Sequence, residues 1–186
     1  MDNNTKKTRS ATALKILIPI LVVVAIGAVW FAKNGANIGN ADSMTPENAD
    51  ANPDFVLEVT EELDIESLKA YGLPIIIDFG ADSCIPCKEM APVLKELNEE
   101  LRGKAIVKFV DVWKYPQLAD GYPIQVIPTQ VFFDTEGNPF APSDPEASQM
   151  IMYSHRETNE HVFTTHQGGM TKDMLLAALT EMGLEE

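Results

Sequence analysis

Hydrophobic and polar positions change rhythm several times along this chain of 186 residues. From Ile16 to Ala32 seventeen uncharged, mostly apolar residues run without a break. Lys33 to Pro53, rich in Asn, Ala, Gly and Asp, then shows no apolar periodicity and reads as a tether. Beyond it order returns. Phe55 to Val59 alternates as a strand, and Asp64 to Tyr71 reads as a short helix. Leu73 to Ala81, centred on Ile75-Ile76-Ile77, has the continuous apolar pattern of a strand buried on both faces. Ile85 to Arg102 has helical spacing with its charges on the outer face, stopped by Gly103. Ala105 to Val112 predicts a third strand and Tyr115 to Tyr122 a poor helix or turn. Thr129 to Phe133 follows as a strand closed by the Glu136-Gly137-Asn138 turn. His161 to His166 is a further strand, and Thr171 caps a last amphipathic helix over Lys172 to Met182. Strands and helices alternate, which points to an α/β sheet, and the 133 residues from Asp54 onward suffice for one domain with one core.

Charge gives the apolar run a direction. Lys6, Lys7, Arg9 and Lys15 stand before it against the single acid Asp2. At the helical rise the run covers about 25 Å, short for a hydrocarbon core of about 30 Å unless Ala13, Leu14 and snorkelling lysines extend it. It is nevertheless long for the apolar part of a signal peptide, and Trp30-Phe31 at its far end is an interfacial pair. No strong small-x-small cleavage site adjoins it, although a weak one at Gly39 to Ala41 keeps cleavage open. The expectation is therefore a basic cytoplasmic segment 1–15, a transmembrane anchor 16–32 and a flexible linker 33–53, with the domain 54–186 outside the cell membrane. As a coil the linker holds that domain roughly 25 Å from the bilayer. No cysteine near the run offers a site for lipid attachment. Residues 54–186 carry nine Lys and Arg against 24 Asp and Glu, a net of −15, which excludes nucleic acid as a partner and keeps the domain off anionic lipid.

The candidate chemistry is Cys84-Ile85-Pro86-Cys87, which holds the only two cysteines of the chain at the junction of strand and helix. At a helix N-terminus, unpaired amides and the macrodipole stabilise a thiolate and pull its pKa below the free value of about 8.5. Cys84 is thus the expected nucleophile. Cys87, three residues on, falls on the same side of the first turn but further inward, suited to resolving a mixed disulfide. Half of a zinc site is an alternative, but no further cysteine exists and the histidines lie at least 68 residues downstream. A purely structural disulfide is another, although so short a loop constrains little of the unfolded chain.

The stretch from Ile75 to Pro92, I-I-I-D-F-G-A-D-S-C-I-P-C-K-E-M-A-P, and Q-V-I-P-T at Gln125 to Thr129 resemble the thioredoxin family. Asp78 stands six residues before Cys84, as the family's buried aspartate does, and Lys88 and Pro92 also match. Pro128 follows Cys84 by 44 residues, the family spacing for the cis-proline that faces the dithiol. The resemblance implies a thioredoxin fold, a central mixed sheet flanked by helices. It implies Cys84, Cys87 and Asp78 as catalytic residues, Asp78 shuttling the proton with its pKa raised by burial. It implies substrate contact by Ile85, Pro86, Ile127 and Pro128, with the Ile127 backbone adding to an extended peptide. No cofactor is required and no metal is expected. Electrons then pass between disulfide-containing extracytoplasmic proteins and a polytopic membrane thiol carrier of the kind serving cytochrome c maturation. The expected activity is protein-disulfide reduction; the alternatives are a disulfide-introducing oxidase, a copper or zinc binding protein, and an idle binding module of the same fold.

The chain also departs from the family pattern. Ser83 and Gly80 replace two customary tryptophans, so the rim of the site reads as less aromatic. Phe109 stands where the family often keeps a lysine beside the aspartate, with Lys108 pointing to the other strand face. Between the turn and the strand at His161 the chain is longer than a thioredoxin hairpin by about Phe140 to Glu160. That excess reads as an edge-strand elaboration, or as a recognition flap beside the substrate groove. His155, His161 and His166 do not stack on one strand face and read as surface histidines. Gly168-Gly169 resembles the close-approach turn bordering the dithiol.

Overall fold

The computed structural model describes residues 52–185. The expected anchor 16–32 and all but the last two residues of the linker 33–53 lie outside the described residues. Among the described residues no helix is long and apolar enough to cross a membrane.

The ordered domain begins earlier than the composition shift suggests. Asn52 caps a 3-10 turn, Pro53–Phe55, and donates from Nδ2 to the Tyr71 hydroxyl at 2.7 Å, while that hydroxyl donates to Asp54 Oδ2 at 2.7 Å. Asn52 and Pro53, expected in the linker, therefore belong to the domain. The turn also takes Phe55 from the strand expected over Phe55 to Val59, and Val56 and Leu57 are irregular, leaving β1 as Glu58–Val59.

The chain then runs α1 (Ile65–Lys69), β2 (Ile75–Gly80), α2 (Ile85–Glu100), β3 (Ile106–Asp111), a 3-10 turn (Pro116–Ala119), β4 (Thr129–Phe133), β5 (Met150–Ser154), β6 (His161–Gln167) and α3 (Lys172–Glu181). Six strands form one sheet in the order β1-β3-β2-β4-β6-β5. β1, β3 and β2 are parallel; β4, β6 and β5 are antiparallel to their neighbours. The sheet is mixed, as the resemblance implied.

Two apolar layers follow from strand alternation. Ile76, Val107 and Phe132 face Met90, Leu94 and Leu97 of α2 and Leu175 and Leu179 of α3. Ile75, Ile77, Phe79, Ile106, Val110, Val131 and Phe133 form the opposite core with Phe55 and Leu68. Each fully buried aliphatic or aromatic side chain contributes roughly 1.5–3 kcal/mol, so both layers are needed to hold a sheet with one parallel half. Helix α2 ends at Glu100, two residues before the expected Arg102, and Gly103 just beyond takes φ +81°, a conformation open to glycine.

The extra segment is built into the sheet. After a turn at 144–149, β5 pairs antiparallel with β6 and becomes the outer strand, so the excess residues extend the edge. Gln149 and Asn159 are both at φ 56°, the first at the entry to β5 and the second in the loop that joins β5 to β6.

Candidate active site

Strand β2 delivers Asp78 and Gly80 to the end of the sheet, and the chain turns through Ala81, Asp82 and Ser83 into α2. Asp111, at the end of β3, holds this turn with one carboxylate. Its Oδ2 accepts from the Asp82 amide at 3.0 Å, and its Oδ1 accepts from the amides of Trp113 and Lys114, each at 3.0 Å. These donors and the Lys114 ammonium hold the Asp111 carboxyl below the usual range against its burial. Lys114 also pairs with Asp82, which adds little at so exposed a position.

Cys84 is the N-cap of α2, and its sulfur accepts the Cys87 amide at 3.4 Å. The two cysteines are joined as a disulfide. Cys84 is partly exposed whereas Cys87 is buried, the inward placement expected from their spacing. Pro86, in the first turn, lacks only an amide that has no helical partner there. Ile85 beside it is 73% exposed. The Ile127-Pro128 bond is cis, and Cys84 Sγ lies 3.9 Å from the Ile127 carbonyl oxygen. Gly168, at φ +105°, donates its amide to the Pro128 carbonyl at 2.8 Å and closes the other side of this loop. The structure thus gathers Cys84, Ile85, Pro86, Cys87, Ile127 and Pro128 at one end of the sheet.

Asp78 lies beneath them, fully buried. Burial pushes its pKa up to about 7, and a hydrogen bond from Gln130 opposes the rise. Gln130 Nε2 donates to Oδ1 at 2.7 Å; Oδ2 has no hydrogen-bond partner among the described residues. A Cβ on Gly80 would lie 3.3 Å from that bare Oδ2 and 3.3 Å from Cys87 Sγ, so oxygen and sulfur face one another across the space that glycine leaves. The same Cβ would meet the Phe109 ring at 2.9 Å. Phe109 and Gly80 are therefore a matched pair: the ring occupies room that a larger residue at 80 would need. A cavity of about 120 Å³, lined in part by Leu57, Ala81, Cys87 and Phe109, opens against the inner sulfur.

Lys108 does turn to the opposite face, where it donates to the carbonyls of Val56 at 2.7 Å and Pro53 at 3.2 Å. Two expectations need correction. His166 is not a surface histidine: it is 3% exposed, and its Nδ1 meets Gln130 Oε1 at 3.0 Å. His161 is half-buried against Thr164 and the Phe163 carbonyl, and only His155 is exposed. Among the described residues no cluster of three or more His, Cys, Asp or Glu is placed to hold a metal ion. Trp113, 63% exposed, lies on the loop that Asp111 ties to Asp82. Gln130 was not singled out from sequence, although an amide inside the apolar strand Thr129–Phe133 is itself a signal, since buried polar groups need partners.

The thioredoxin family profile matches residues 56–153. Thioredoxin Y1, chloroplastic, of Arabidopsis thaliana is 31% identical over 132 residues, 71% of this chain and 70% of that one. Thioredoxin-like protein slr0233 of Synechocystis sp. is 40% identical over 74 residues, 40% of this chain and 70% of that one. Among solved structures, a mutant thioredoxin from Halobacterium salinarum NRC-1 is similar at a TM-score of 0.49 and 24% identity, over 73% of this chain and 96% of that one. With its Cys84/Cys87 pair at the head of α2, the chain belongs to the thioredoxin family and is a protein-disulfide oxidoreductase.

Proposed function

We propose that this protein is a membrane-tethered, extracytoplasmic protein-disulfide reductase. The observation that carries the chemistry is the placement of Cys84, partly exposed at the N-cap of α2 and 3.9 Å from the Ile127 carbonyl, over a buried Cys87. In the reduced protein, Cys84 thiolate attacks a substrate disulfide and forms a mixed disulfide, releasing one substrate thiolate. Cys87 then gives its proton to Asp78 and attacks Cys84 sulfur; the second substrate thiolate leaves, is protonated, and the Cys84–Cys87 disulfide forms. The exposed side chains of Ile85 and Val126, with the Ile127 backbone, receive an extended apolar segment of the substrate.

The tether rests on sequence: the basic residues before Ile16, the seventeen-residue apolar run and the polar stretch after it. A membrane thiol carrier recharges the dithiol, and tethering raises its effective concentration.

Cys87→Ser in cells tests direction and place together. It should accumulate mixed disulfides between Cys84 and extracytoplasmic proteins, while wild type stays mostly reduced and loses that state when residues 1–32 are replaced by a cleavable export signal. Trapped cytoplasmic partners would overturn the location. A wild-type couple held oxidised and donating its disulfide would replace the reductase with an oxidase.

A further inference from the structure

The strand register sets one row of side chains across the sheet, beneath the start of α2. Phe109 pairs with Asp78, Asp78 with Gln130, Gln130 with His166, and His166 with Met150. Asp78, Gln130 and His166 are all buried. We propose that Gln130 and His166 are positioning residues for the proton acceptor: the imidazole orients the amide, and the amide holds Asp78 by Oδ1 so that Oδ2 is left facing Cys87. This deepens the reading of Asp78 given above and rests on it.

Donor and acceptor accounting fixes the direction of the row. An ionised carboxylate only accepts, so the Gln130 atom 2.7 Å from Asp78 Oδ1 is the donating Nε2. Oε1 then points the other way and accepts from His166 Nδ1–H at 3.0 Å, which places the imidazole proton on Nδ1. The second amide hydrogen has the Met90 sulfur at 3.5 Å, which also accepts the Met170 amide at 3.5 Å. Each group of the amide has its own acceptor or donor. A flipped amide would set Oε1 against the acceptor-only Asp78 carboxylate, so the carboxylate excludes it and the imidazole takes the matching tautomer.

The other elements packed around Asp78 leave this task to Gln130. From β3 it meets the uncharged Phe109, while the Lys108 ammonium is on the far face of the sheet among the Pro53 and Val56 carbonyls. From α2 come Cys87 and Met90, and from β6 only His166, through the amide. Burial holds His166 below its usual range, with a backbone hydrogen bond to Gly168 opposing, so it faces Gln130 as a neutral ring near pH 7. A cation beside Asp78 would drop its proton affinity too far to take a proton from a thiol; an apolar neighbour would leave it protonated at neutral pH. An oriented amide sits between these limits.

The test uses the full chain, with two readouts from pH 5 to 9: the rate of reduction of a disulfide peptide, and the ionisation of the Asp78 carboxyl by infrared difference against Asp78→Asn. Gln130→Leu should move both midpoints to higher pH, by about one unit, because a hydrogen bond to the charged form is lost. His166→Phe should move them the same way by less. His166→Asn, whose side-chain amide can still donate to Oε1, should return them to the wild-type position. If Gln130→Leu does not fold, the unbranched Gln130→Met takes its place. A Gln130 variant with lower stability but an unmoved carboxyl midpoint would overturn the proposal, as would His166→Asn behaving like His166→Phe. A carboxyl that moves while the rate profile ignores Asp78→Asn would uphold the positioning and overturn Asp78 as proton acceptor.

Discussion

Two neighbouring strands bury ionisable side chains on opposite faces of the same sheet, Asp78 on β2 and Lys108 within β3. Burial disfavours the charge on both: it pushes Asp78 up to about 7 and Lys108 down to about 8, the latter against the attraction of Asp54. Their partners differ. The Lys108 ammonium is bound to two backbone carbonyls that pin the chain before β1 to the sheet. The Asp78 carboxylate keeps one oxygen with no partner among the described residues, turned toward the inner sulfur. A buried charge with fixed acceptors clamps two segments; one with a bare oxygen beside a reactive atom is arranged to change its protonation.

The contrast gives opposite pH dependences of stability, and the largest effect belongs to Asp78. Its folded pKa lies above the unfolded value, so its contribution is fully present below about 3.8 and is lost as pH rises through about 7. The loss is on the order of 4 kcal/mol. Denaturant titrations of the oxidised protein should show Asp78→Asn more stable than wild type by that order above pH 7, the two converging toward pH 4. A constant difference across the range would remove the pKa argument for Asp78.

Lys108 carries the opposite sign. Its folded pKa lies below the unfolded 10.5, so the burial penalty is fully present below about 8 and is relieved as pH rises toward 10.5. Wild type should gain at most about 3 kcal/mol on Lys108→Met over that window, read from the difference between their unfolding curves. Turnover should not respond to this substitution; a changed pH profile of reduction would place Lys108 in the chemistry and end the contrast.

The smallest effect sharpens the Asp78 side. Gly80→Ala puts a methyl 2.9 Å from the Phe109 ring, between Asp78 Oδ2 and Cys87 Sγ. Overpacking of this kind costs about 1–3 kcal/mol, and Phe109→Leu in the same protein should return most of it. An additive double substitution would mean that the ring and the glycine are not a matched pair.

What the sequence conveys well here is what neighbouring residues decide. The helix-opening dithiol, the isoleucine run around Asp78 and the capped last helix are all local, and the structure places each where its pattern indicates; the cis-proline, 44 residues from Cys84, was legible only through the family resemblance. Boundaries were less legible where tertiary contacts set them: Asn52 joins the domain through Tyr71, which no periodicity announces. His166 was misjudged because its burial depends on strand register. Thr164 and His166 share the α2 face of β6 only once β4 and β5 flank it, and the loop before β5 says nothing of that pairing. Gln130 escaped notice although it is polar in an apolar strand, because its partners are 52 residues before it and 36 after it in the chain.

Those separations divide the site by when it can exist during folding. Cys84, Cys87 and the first turn of α2 lie within a few residues of one another and form as soon as that helix forms. The carboxyl row needs β2, β4 and β6 side by side, so loops of tens of residues must close first. A nascent chain that has not yet added β6 already bears both thiols but has no imidazole to orient the amide. The dithiol is a local property of its segment, whereas the oriented proton acceptor belongs only to the completed domain.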